Sequence, residues 1–102
     1  MRVVESRKLE DCFDGSSVHW YRFDCPWTQA GILELKSLGK IEYFADFPRP
    51  FFRLRTDRGM FVQGICGEHT CRVILPREGN HEVRRDWESV FSSREPADKT
   101  FD

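Results

Sequence analysis

The 102-residue sequence has no apolar run long enough to span a bilayer, which needs about twenty such residues. Its first stretch, MRVVESRKLEDC, places charges where an export signal requires a hydrophobic segment. Both absences point to a cytoplasmic protein without a membrane partner. Neither charge sign dominates: 16 Lys and Arg face 17 Asp and Glu, for a net charge of −1. That balance argues against a dedicated, strongly electrostatic nucleic-acid binder and disfavours nucleic acid as a partner, while leaving room for a local basic face. Cysteine is sparse, at four residues, too few for a disulfide scaffold, so free thiols are expected in a reducing compartment. The chain also lacks a glycine-rich phosphate loop, a serine nucleophile elbow and a Cys–His pair at a catalytic spacing. Cofactor binding is therefore not expected.

What the sequence does have is aromatic mass. Aromatic residues make up 14% of the chain, with nine Phe and three Trp, beside a charged share of 32%. Such large side chains can complete a small core or be exposed for binding, and composition alone does not separate the two uses. A chain of this length buries roughly two-thirds of its unfolded surface, enough for one domain. The expected organisation is a single domain over residues 1–91, followed by a polar, mobile C-terminal tail over 92–102.

Residues 41–75 organise the rest. IEYFAD, FFRLRT, MFVQGIC and CRVIL are β-prone runs separated by Pro, Gly and Asp, the pattern of consecutive antiparallel strands. Upstream, VHWYRF (18–23) reads as a further strand, with Val18, Trp20 and Arg22 on one face and His19, Tyr21 and Phe23 on the other. Residues 2–9 form at most a short edge strand. Thr28 is a candidate N-cap for a helix reaching Leu38, with Ile32, Leu35 and Leu38 as its apolar stripe, Leu33 widening it, and Gly39 closing it. Asn80 is placed to cap a second helix whose stripe is Val83, Trp87, Val90 and Phe91.

These elements define an α+β domain. A single antiparallel sheet of five to six strands, in the order (β)-β-α-β-β-β-β-α, carries two helices on one face, because each helix has one apolar stripe to bury. In element order alone this resembles the TATA-binding-protein-like and helix-grip architectures, a likeness that implies a fold and no activity.

Three groups of residues invite chemistry. Arg49, Arg53, Arg55 and Arg58 lie interleaved with Phe47, Phe51 and Phe52. On the FFRLRT strand Phe51, Arg53 and Arg55 share a face opposite Phe52 and Leu54, with Arg49 and Arg58 at its ends. Guanidinium groups beside a ring suit a phosphate or carboxylate, although alternating Arg on an exposed strand also serves solubility. Binding through Arg49, Phe51, Arg53, Arg55 and Arg58 is the leading expectation: a non-catalytic module for a small anionic ligand or a partner protein. Cys66, His69 and Cys71 offer zinc-type ligands, with Cys12 or Cys25 as a distant fourth. The same two thiols could instead simply face each other across a hairpin turn, free or as a disulfide. A small enzyme using His19 or His81 is the remaining alternative. Glu10, Asp11 and Asp14 cluster in a turn but lack the alternation of a calcium loop.

Overall fold

The computed structural model describes residues 1–92; the tail expected over 92–102 falls, beyond Ser92, outside the described residues. One six-stranded antiparallel sheet forms the framework. Its strands are β1 (Val3–Asp11), β2 (Ser17–Phe23), β3 (Lys40–Phe44), β4 (Phe51–Arg55), β5 (Phe61–Ile65) and β6 (Thr70–Leu75). In space they lie in the order β1-β2-β6-β5-β4-β3. Helices α1 (Gln29–Glu34) and α2 (Asn80–Ser92) bury their apolar sides on one face of that sheet, as their stripes require.

The helix-covered face follows from alternation. Tyr21 and Phe23 of β2, Phe52 and Leu54 of β4, Val62 of β5, and Cys71, Val73 and Leu75 of β6 are all buried, and each is separated from the next by one outward-facing residue. Onto them pack Trp27, Ile32 and Leu35 from α1 and its flanks, and Val83, Trp87 and Phe91 from α2. Apart from the stacked Tyr21 and Phe23, the rings meet edge-on or tilted: Trp27 lies 4.9 Å from Phe52, and Phe91 lies 4.8 Å from both Phe23 and Trp87. Edge-to-face geometry adds attraction beyond area burial. Gly64 of β5 is part of this layer. A Cβ there would sit 2.7 Å from the Phe52 ring, so the bare backbone makes room for an aromatic.

Helix α2 is also tied to β2 by polar contacts. The Tyr21 hydroxyl donates to Glu88 Oε2 (2.6 Å), which also accepts from Arg84 Nε (3.1 Å). The Asn80 amide donates to Ser17 Oγ and to the Pro76 carbonyl, both at 3.1 Å, and Ser17 Oγ lies 2.8 Å from His19 Nε2. The Ser17 hydroxyl, with one proton and two lone pairs, can accept from Asn80 while it stays hydrogen-bonded to His19. Asn80 thus opens the helix and fastens it to the sheet through its side chain.

Several local expectations are corrected. The first strand is nine residues long and starts at Val3, with register irregularities between Val3 and Glu5 and between Lys8 and Glu10 that guard an exposed edge. The first helix ends at Glu34 and tightens into a 3₁₀ turn over Leu35–Ser37. Ile32 and Leu35 are buried, while Leu33 does not widen the stripe but faces outward, 41% exposed. Gly39 does not adopt a left-handed terminator conformation. It is needed because a Cβ would lie 2.2 Å from the Arg55 carbonyl oxygen. Thr28 caps α1 as expected, its hydroxyl accepting from the Gly31 amide.

Candidate functional site

Among the described residues no helix lies over the opposite face of the sheet, and it is here that the Arg–Phe strand presents its second set of side chains. Phe51, Arg53 and Arg55 project from β4 onto this open side, because Phe52 and Leu54 are buried beneath the helices. Cross-strand pairing then selects their neighbours: Phe44 beside Phe51, Glu42 beside Arg53, and Lys40 beside Arg55 on β3; Ile65, Gln63 and Phe61 on β5. The Phe44 and Phe51 rings stack at 4.6 Å, and Phe47, 52% exposed, leans on Phe51 at 5.1 Å.

Guanidinium groups lie against these rings. Arg53 sits 5.3 Å from the Phe44 ring centre and 5.7 Å from that of Phe51, and Arg55 lies 5.1 Å from Phe61. Across the sheet, Arg7 of β1 lies 4.7 Å from the Trp20 indole of β2. Such pairs gain about 0.5–1 kcal/mol each at exposed sites. They also immobilise the guanidinium, which lowers the entropic cost of presenting it to an anion. Among the described residues, Arg53, Arg55 and Arg72 form no ion pair, and Arg53 Nε is buried without a hydrogen-bond partner.

Of the five residues singled out in the sequence, Phe51, Arg53 and Arg55 are brought together. Arg49, in the connection before β4, is ion-paired with Glu68. It nonetheless lines an open groove of about 510 Å³ on this side, together with Trp20, Gln63, Ile65, Thr70 and Arg72. Arg58 goes elsewhere. At the β4–β5 turn it bends toward α2 and pairs with Asp86 at 2.5 Å and Glu82 at 3.6 Å, joining the hairpin to the helix. Sequence reasoning missed Trp20, Arg72, Gln63 and Arg7, which come from four other strands. The alternation of VHWYRF already put Trp20 and Arg22 on one face. Only the strand order says that this is the face of Arg53.

The cysteine and histidine candidates are scattered. Gly64, not Cys66, is the residue opposite Cys71. Cys71 is buried under the helices, where loss of solvent pushes its thiol well above the usual range. Cys66 lies past the end of β5, its Sγ 3.7 Å from the Trp27 carbonyl, and its contact with the Tyr43 phenol raises the tyrosine pKa. His69 is engaged through Nδ1 with the Phe23 carbonyl at 3.2 Å. Among the described residues no three His, Cys, Asp or Glu side chains converge as metal ligands. Glu10 and Asp11 end strand β1 and are not in the turn expected for them; Asp11 pairs with Lys8, and Asp14, in the turn, accepts from the Ser16 hydroxyl and backbone, which lower its pKa. His81 is exposed, whereas His19 is buried with Ser17 and serves the α2–β2 junction. Compared with known proteins, the chain matches no family model, and no curated protein and no solved structure is similar to it.

Proposed function

We infer that this chain is a non-catalytic binding module that takes an anionic ligand, or the anionic segment of a partner protein, on its open sheet face. The observation that carries the reading is the state of Arg53 and Arg55. Both guanidinium groups are laid against phenylalanine rings and have no carboxylate partner among the described residues. Arginines that only keep a strand soluble do not need such immobilisation. A planar cation held in place, with its N–H donors unpaired, is suited to the paired hydrogen bonds of a carboxylate or phosphate. The polar network around Ser17 and His19 supports the non-catalytic side of the reading, since both side chains are roofed by α2 and at most 5% exposed.

The test is an NMR titration of the full chain with inorganic phosphate and with an acidic peptide. Shifts confined to β4 and its neighbours, lost in the Arg53→Ser/Arg55→Ser double variant, are expected. A wild-type spectrum unmoved by either probe would reduce the arginines to a solubility device.

A further inference from the structure

The open face is more ordered than a scatter of arginines. One row of side chains crosses it at right angles to the strands, each residue the register partner of the next: Glu42, Arg53, Gln63, Arg72, Trp20 and Arg7. Adjacent strands lie about 4.8 Å apart, so Arg53, Arg72 and Arg7 recur on every second strand, at intervals of about 9.6 Å. Gln63 and Trp20 fill the gaps between them. On one side the row is flanked by Phe44, Phe51 and Ile65, and on the other by Phe61, Ile74 and Val18. The result is a cationic stripe bordered by apolar side chains, with Arg55 and Lys40 continuing one margin and Thr70 and Arg22 the other. The groove of about 510 Å³ lies over its middle and includes Gln63, Arg72 and Trp20 among its walls.

The alternation says more than the charge. An acidic peptide would use the three guanidinium groups but has no call on the residues between them. Gln63 offers an amide with both donor and acceptor, and Trp20 offers an indole over which the planar Arg7 cation already lies. Single-stranded nucleic acid alternates a phosphate with a flat, hydrogen-bonding base, which is the same alternation. The open face carries an excess of positive charge. Its rows hold Arg7, Arg22, Lys40, Arg53, Arg55 and Arg72 against Glu5, Glu10 and Glu42, with Glu5 ion-paired to both Arg7 and Arg22. On α2, across the sheet, Glu82, Asp86 and Glu88 stand beside Arg84 and Arg85. The net charge of −1, which disfavoured nucleic acid in the sequence, therefore does not describe this face.

We propose that the stripe binds single-stranded nucleic acid, with Arg53, Arg72 and Arg7 on phosphates, bases against Trp20 and the Phe44–Phe51 pair, and Gln63 on a base edge. The proposal rests on the anion-binding reading above and adds the ligand class. The stripe lies on the face of a sheet, and the span from Arg53 to Arg7 is four strand gaps, about 19 Å, suited to a short single strand.

Fluorescence titration of the full chain with a short oligouridylate tests it. Trp20 is the responding tryptophan, since Trp27 and Trp87 are 2% and 1% exposed. Quenching is expected, and three phosphate contacts give a log K against log salt slope of about −2. The exposed Arg72→Ala should bring the slope to about −1.4 with an unchanged melting curve. Trp20→Ala, followed by anisotropy of labelled oligonucleotide, should weaken binding about tenfold and leave the slope alone. Tighter binding to duplex, or binding insensitive to both substitutions, overturns the proposal. If polyglutamate or phosphate shifts the Arg53 and Arg55 resonances and the oligonucleotide does not, the ligand class is wrong and the anion site stands. If none of the three acts, both readings fall.

Discussion

Under the helices the large side chains of the sheet touch one another, whereas on the open side they lie under arginines. Phe52 and Phe51 are neighbours in the chain and face opposite ways. Phe52 is fully buried against Trp27, and Phe51 is half-buried, stacked on Phe44 with Arg53 alongside. The covered face closes its aromatics by helix packing, which is dry and excludes charge. The open face closes them by guanidinium planes laid against the rings. The two solutions have different consequences. Removing a ring from the first leaves a cavity, while removing an arginine from the second leaves a wetted apolar patch.

That contrast can be broken most forcefully at α2. Trp87→Ala should cost about 3–5 kcal/mol in urea melts, as a large-to-small change in a core of tightly packed rings, and that approaches the whole stability of a marginal domain. Trp87→Phe should cost under about 1.5 kcal/mol, because the indole N–H it removes has no partner. If Trp87→Ala is as mild as Trp87→Phe, the helix does not seal the covered face as described.

Gly64→Val sharpens the comparison from the sheet side. The new side chain meets the Phe52 ring on the covered face, so a loss of about 1–3 kcal/mol is expected from overpacking. The same substitution at the adjacent Gln63, on the open face, should change stability by no more than about 0.5 kcal/mol. Equal losses at the two positions would contradict the assignment of faces.

The covered face also hides a titrating group. Burial, then the Arg84 and Lys8 charges, depress the His19 pKa below its ordinary 6.5, outweighing Glu88 and Asp11. The unfolded chain therefore takes up a proton at a higher pH than the folded one. The contribution of neutral His19 is complete above pH 6.5 and shrinks as the pH falls below that value. Melts at descending pH should show this loss in the wild type and a smaller one in His19→Gln. Identical pH profiles would remove His19 from the account.

The smallest effects belong to the open face. Arg55→Ser should cost no more than about 0.5 kcal/mol, and Arg53→Ser about 0.5–1 kcal/mol, since it uncovers both Phe44 and Phe51. A loss of several kcal/mol in either would mean that the guanidinium groups hold the sheet together rather than wait on a ligand.

Much of the fold was legible because it rests on local periodicity. FFRLRT alternates so strictly that Phe52 and Leu54 separate from Phe51, Arg53 and Arg55 without knowledge of any partner strand. Val83, Trp87 and Phe91 keep helical spacing through three turns and are all buried. The first helix was less legible. Its pattern covers barely two turns before the chain tightens at Leu35, too short a run for periodicity to decide where Leu33 points.

What only the tertiary structure decided is which strands meet and in what register. Cys66 and Cys71 bracket a hairpin in the sequence, yet Gly64 stands opposite Cys71, because the turn begins before Cys66. Arg58 belongs to the arginine cluster by position and to α2 by contact, since a hairpin tip bends toward whatever packs beneath it. The row from Arg53 through Gln63, Arg72 and Trp20 to Arg7 draws on five strands spread from residue 3 to residue 75. Alternation assigns each of these side chains to one of two faces. Pairing between strands far apart in the chain makes those faces coincide, and that information is non-local by nature.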